Sequence, residues 1–182
     1  MRHLSTDQLN AGVPHIEASP SDGGTVEMIV RRPDVDGREV IEDGELLVGE
    51  GLAGDNYVTR GNPRTDGGEA HPEAQLTLMN SRSVDTVAAG DRDRWPLAGD
   101  QLFVDFDLST GNLPTGTRLA IGSAVVEVTA KPHNGCSKFA ERYGMDAARW
   151  VNSRSDLRLR GINAAVIETG TFRVGDVMKK LG

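Results

Sequence analysis

Cysteine is nearly absent from this 182-residue chain, and Cys136 is the only one. An intrachain disulfide is therefore excluded, which agrees with a reducing compartment, and any thiol chemistry has a single address. Aromatic residues are also scarce, at 4% of the chain, whereas 22 glycines and 8 prolines are spread along it. That balance disfavours a helix bundle and points to short elements joined by turns. Hydrophobic runs are short as well. None is long enough to span a bilayer, and Met1 to Asn10 lacks the apolar centre of a secretory signal, so a cytoplasmic protein with no membrane partner is expected. Positive charge is in deficit: 20 Lys and Arg against 27 Asp and Glu leave a formal net charge of −7. Nucleic-acid binding needs clustered cations to neutralise phosphates, so no nucleic-acid partner is expected, although a local basic pocket stays open.

What is present is a chain about one domain long, enough for a sizeable core. Residues 1–24 are polar and end in Ser19-Pro20-Ser21-Asp22-Gly23-Gly24, which reads as an N-terminal arm or loosely ordered lead-in. Residues 25–182 read as a single domain, with no repeat or shift in composition to divide them. A strand is expected over Thr25 to Arg31, with Val26, Met28 and Val30 on one face. Arg38 to Val48 holds two more strands broken at Asp43-Gly44. Gln75 to Met79 is strand-like, and Asn80-Ser81 caps a helix through Ala89. Leu102, Val104, Phe106 and Leu108 alternate inward along the next strand, and Arg118 to Ile121 faces Ala124 to Thr129 across a Gly122-Ser123 hairpin. Leu157 to Glu168 and Thr171 to Met178 close the chain as two strands. About eight to ten short strands with a few short helices imply a mainly β fold, a closed or partly closed β-barrel, because closure removes unpaired edges.

Gly49-Glu50-Gly51-Leu52-Ala53-Gly54 fits the dinucleotide pattern G-x-G-x-x-G, but that motif needs a helix to follow, and Asp55 to Pro63 cannot supply a stable one. The glycines are read as a backbone bend. Thr59 to Ala74 is long, polar and rich in Gly and Pro, which suggests a mobile lid or a disordered stretch, and His71 within it is read as solvated. Asp105 and Asp107 share a strand face and are read as solvated. Trp95, Trp150, Phe139 and Tyr143 are read as core rather than a stacking platform.

Cys136 stands apart. It follows the strand-like run Ser123 to Thr129 and an expected tight turn over Pro132 to Gly135, and it opens a helix running through Arg142. A thiol at a helix start with Lys138 and His133 nearby suits a thiolate, whereas an unreactive buried cysteine is the alternative. A cysteine hydrolase is disfavoured: His133 is close in sequence, but no carboxylate or amide is placed to orient it.

Five motifs in order resemble the MOSC domain, the module at the C-terminus of molybdenum-cofactor sulfurases. They are Gly51-Leu52-Ala53-Gly54-Asp55, Gln75 to Met79, Gly116 to Gly122, the cysteine after Glu127-Val128-Thr129, and Arg160-Gly161 with Gly175-Asp176-Val177. The resemblance covers Thr25 to Leu181 and implies a β-barrel with a cleft holding Cys136. It implies either reduction of N-hydroxylated compounds with Cys136 as catalytic residue and molybdenum ligand, or a sulfur carrier with a persulfide on Cys136. A non-enzymatic cofactor carrier or interaction module is the alternative. For the molybdopterin cofactor it implies binding by His133, Asn134, Lys138, Arg160, Asp55 and Arg82. The sequence departs from the family at Asn56-Tyr57, where an Arg-His pair is common, and at Gly135, where Pro often precedes the cysteine. No pyridoxal-phosphate site is expected in this chain, so a separate sulfur donor or electron-transfer protein is implied as partner.

Overall fold

The structure, a computed structural model, describes residues 3–62 and 65–182. Pro63, which two of the expectations include, lies outside the described residues. Two short helices lead in, α1 (Thr6–Asn10) and α2 (Val13–Glu17), followed by strands β1 (Gly24–Arg31), β2 (Glu39–Ile41), β3 (Asp43–Leu47) and β4 (Gly51–Leu52). Next come α3 (Tyr57–Arg60), β5 (Leu76–Asn80), α4 (Ser81–Ala88), β6 (Leu102–Asp105), β7 (Arg118–Ile121) and β8 (Ala124–Val128). The chain then forms α5 (Ser137–Tyr143), α6 (Met145–Ser153), β9 (Ile162–Glu168), β10 (Gly170–Arg173) and β11 (Val177–Lys180).

Seven strands close into a barrel in the order β1-β6-β5-β9-β8-β7-β11, and β11 returns to pair with β1. Closure uses both edges of β1, which also carries β2 at its far end, where Ile29 to Arg31 pair with Ile41 to Glu39. A separate three-stranded sheet, β10-β3-β4, covers one side. The mainly β barrel is therefore as expected.

The interior is filled by Val26, Ile29, Leu78, Leu102, Val104, Phe106, Leu119, Val126 and their neighbours, all buried. Strict alternation fails in β1. A register shift between Val26 and Met28 opposite β6 sends Val26 and Ile29 inward and turns Met28 and Val30 outward. One extra residue at a bulge reverses the faces beyond it. Outside the barrel, Met28, Val30, Met79 and Phe103 form a second core with Trp95, Phe139, Tyr143 and Trp150. The rings of Phe139 and Tyr143 lie 4.7 Å apart, as the i,i+4 spacing suggests.

The lead-in belongs to this second core, which corrects the expectation of loose order. Leu9 and Ile16 are buried, Ser5 and Gln8 form a reciprocal cap at α1, and Trp150 donates its indole N–H to Asn10 at 3.0 Å. Each helix buries a single apolar residue, too little for a periodicity signal. The expected last strand is split, since Val174 to Asp176 turn between β10 and β11 with Gly175 at φ +89°. The Gly49 to Gly54 stretch is a bend, not a nucleotide loop: Gly51 has φ +81°, and a Cβ there would collide with the Gln75 carbonyl.

Candidate functional site

The loop from Lys131 to Cys136 leaves β8 and enters α5 without forming the expected tight turn. Two asparagines pin it instead. Asn163 of β9 donates to the carbonyls of Lys131 at 3.1 Å and Pro132 at 3.2 Å, and Asn152 of α6 accepts from the Gly135 N–H at 2.8 Å. Cys136 ends the loop in extended backbone as the N-cap of α5, its side chain makes no capping bond, and it is exposed.

Beside it lies a depression of about 190 Å³ whose walls include six basic side chains, Arg32, Arg38, Arg60, Lys138, Arg142 and Arg160, against two carboxylates, Asp34 and Asp36. Their placement is built from below. The Asp55 carboxylate, fully buried, grips Arg32 with two bonds of 2.8 Å, and the Gly99 carbonyl takes a third from the same guanidinium at 2.9 Å. Arg160 is buried too, donating to Asp100 at 2.5 Å and to the Ala98 carbonyl at 3.0 Å while stacking over Phe139. Gly161, at φ +108°, lets this segment approach the Leu78 carbonyl where a Cβ would collide, and so sets Arg160 against the barrel wall.

The positive charge here is only partly compensated. Lys138 and Arg142 share Asp36, at 2.8 and 3.1 Å. Burial pushes Arg38 and Arg60 below the usual guanidinium range, and neighbouring guanidinium groups push them further. Among the described residues three buried side-chain polar atoms lack a partner, and two of them, Asn56 Oδ1 and Arg160 Nε, belong to residues lining this depression. Each such atom costs desolvation without the compensating bond.

Under the depression sits a group that the sequence reading missed. Asp100 is fully buried and accepts from Arg160 and from His133 Nε2, the latter at 2.7 Å. Burial alone would raise its pKa, but Arg160 and His133 together hold it at about 2. Burial and Arg160 push the His133 pKa below its ordinary value, although Asp100 pulls the other way. His133 is therefore neutral at pH 7. Because the ionised Asp100 can only accept, the hydrogen sits on Nε2 and Nδ1 keeps its lone pair.

The expectation that nothing orients His133 is corrected: Asp100 does so from 33 residues away, a separation that leaves no local signal. His133 nevertheless lines two neighbouring depressions that Cys136 does not line, so the two are not arranged as nucleophile and base. Lys138 stands in the Cys136 depression, and Asn134 lines the cavity on the His133 side of the loop. Asp55 reaches the depression only through Arg32. Arg82 does not reach it, since its guanidinium is held on Asp105 at 2.8 Å and on the His15 carbonyl at 2.9 Å. Asp107 receives the Ser109 N–H at 2.9 Å. Thr59 to Ala74 is tied rather than loose in its described part. Tyr57 donates its hydroxyl hydrogen to the His71 carbonyl, and His71 Nδ1 accepts from the Glu73 N–H at 3.2 Å. His71 is thus a turn cap, and it lines a depression with Arg32, Arg60 and His133.

Residues 56–179 match the MOSC domain. The chain belongs to the MOSC family. The matched span contains Asn56, Arg60, His133, Cys136 and Arg160, whereas Arg32 and Asp55 precede it. MOSC domains are associated with the molybdenum cofactor. Solved structures share the fold. YuaD from Bacillus subtilis, at 16% identity and a TM-score of 0.58, aligns over 86% of this chain and 94% of its own. YiiM from Escherichia coli, at 19% identity and a TM-score of 0.57, aligns over 87% and 70%. A hypothetical protein of known crystal structure reaches a TM-score of 0.62 at 17% identity, over 88% and 70%. No curated protein matches the chain. Among the described residues no helix is long and apolar enough to cross a membrane.

Proposed function

We propose that this MOSC protein binds the molybdenum cofactor in the depression beside Cys136, with the Cys136 thiolate as molybdenum ligand, and reduces N-hydroxylated compounds in the cytoplasm. The carrying observation is the convergence at the one cysteine of six basic side chains and two buried, unpartnered polar atoms, an acceptor on Asn56 and a donor on Arg160. The donor set fits the group. A pterin edge presents both N–H hydrogens and ring acceptors, and its phosphate calls for cations. Among the described residues no cluster of three or more His, Cys, Asp or Glu is placed to hold a metal. The protein therefore offers one soft thiolate, and the other ligands would come with the cofactor.

Arg32, Arg38, Arg60 and Lys138 would hold the phosphate, and Asn56 and Arg160 would meet the ring edge. Asp55 and Asp100 keep Arg32 and Arg160 in place, so neither guanidinium reorganises on binding. When bound, the cofactor supplies two-electron redox chemistry. Cleaving an N–O bond to N–H and water takes two electrons and two protons, the electrons coming from a separate donor protein.

A second reading, sulfur carriage as a Cys136 persulfide, is favoured by the exposure of the thiol and by the open apolar groove of Ala140, Met145 and Ala148 next to it, where a partner can reach the sulfur. Metal and pterin analysis of protein made with the cofactor pathway intact separates the two. Stoichiometric molybdenum, reduction of an N-hydroxylated base by a chemical electron donor, and loss of both in Cys136→Ser are expected. A labile persulfide without metal replaces this reading with the carrier.

A further inference from the structure

On the other side of the Lys131 to Cys136 loop lies a second cavity, of about 250 Å³, lined by Lys131, His133, Arg154, Arg158 and Arg160. Not one Asp or Glu lines it, in a chain whose net charge is −7. Two of these cations are already matched: Arg154 pairs with Asp156 at 3.0 Å and Glu17 at 3.6 Å, and Arg160 pairs with Asp100. The excess belongs to Lys131 and Arg158.

Arg158 is the telling residue. It is partly buried, forms no ion pair among the described residues, and donates to the Leu113 carbonyl at 2.6 Å and the Leu108 carbonyl at 3.4 Å. Burial pushes it below the usual guanidinium range with no carboxylate to offset the cost. Its backbone sits at φ +48°, a region that non-glycine residues rarely occupy and that is retained where the surroundings demand it. Beside it Arg160, 5% exposed, is held by Asp100 and the Ala98 carbonyl and adds no free charge to this cavity. A partly buried guanidinium with no carboxylate partner, in a cavity free of carboxylates, is stabilised by an anion. With Lys131 and Arg158 the two cations left in excess, the matching anion carries one or two negative charges.

We propose that this cavity is a second anion site, separate from the Cys136 depression, that takes one phosphoryl group or a tetrahedral oxyanion of similar charge. Arg158 and Lys131 supply the charge, and Asn134 and Ser155, which also line it, supply neutral donors. This inference stands whether or not a cofactor binds at Cys136.

The test is a ¹H–¹⁵N NMR titration of the full chain at low ionic strength, in parallel with inorganic phosphate and with a nucleoside 5′-monophosphate. Saturable shifts are expected at Lys131, Asn134, Ser155 and Arg158. Tighter binding of inorganic phosphate identifies a free oxyanion, and tighter binding of the nucleotide identifies a phosphoryl group on an organic carrier. Arg158→Gln and Asn134→Asp should each weaken binding by roughly tenfold or more, the scale of one charged hydrogen bond. The exposed Asn134 site guards against misfolding of the Arg158 variant. Arg60→Gln, in the other depression, should leave these shifts intact. No saturable shift at these residues, or shifts that vanish in Arg60→Gln and persist in Asn134→Asp, would overturn the proposal.

Discussion

Replacing Asp100 by Asn removes the charge that Arg160 and His133 share while keeping the side chain's size. Arg160 then keeps a buried guanidinium without a carboxylate, and the new amide nitrogen must face a donor. Breaking a buried pair in this way costs about 3–5 kcal/mol. The pH dependence gives an independent magnitude. A carboxyl held at about 2 instead of its ordinary 3.8 corresponds to roughly 2.5 kcal/mol. Its sign follows from linkage. The folded-state pKa is depressed, so the stabilisation is fully present above the unfolded value and is lost as pH falls from there through about 2. Urea denaturation of wild type and Asp100→Asn should therefore differ most at neutral pH, and the gap should narrow from about pH 4 downward. Exposed carboxylates with lowered pKa, Asp22, Asp36 and Asp156, titrate equally in both proteins, so the difference isolates Asp100. A gap under about 1 kcal/mol at pH 7, or one that stays constant down to about pH 2, would refute the buried-pair account.

Two further outcomes follow from the same packing. The ¹⁵N resonances of the His133 ring should titrate with a midpoint below the ~6.5 of an unperturbed histidine, with the hydrogen on Nε2 in the neutral form; a midpoint at or above ~6.5 contradicts the assignment. Leu9→Ala should lower stability by about 2–5 kcal/mol in urea unfolding, as a buried leucine does, whereas an unpacked lead-in would show almost no change.

The barrel was legible because alternation is a local property: Leu102, Val104, Phe106 and Leu108 all face the interior, as their spacing says. Cys136 was legible through its uniqueness, and the cap at Asn80 through residue type. What failed was every feature set by distant partners. Met28 and Val30 changed faces because of a bulge specified by β6. Arg32, Asn56, Arg60 and Asp100 lie far from Cys136 along the chain, and nothing in their own neighbourhoods sets them apart from surface residues. Arg82 went the other way: on sequence it was as good a cation as Arg160, and only the fold committed it to Asp105.

An odd ring of strands cannot reverse direction at every step. With seven members, at least one neighbouring pair must run the same way, and here it is β5 and β6. Two strands pointing the same way cannot be joined by a hairpin, so the chain has to travel outside and return. That detour begins with α4 and ends at Ala98, Gly99 and Asp100, the residues whose oxygens receive Arg160, Arg32 and His133. The parity of the barrel thus dictates a return path, and the end of that path is the anchor for both buried arginines of the cysteine depression.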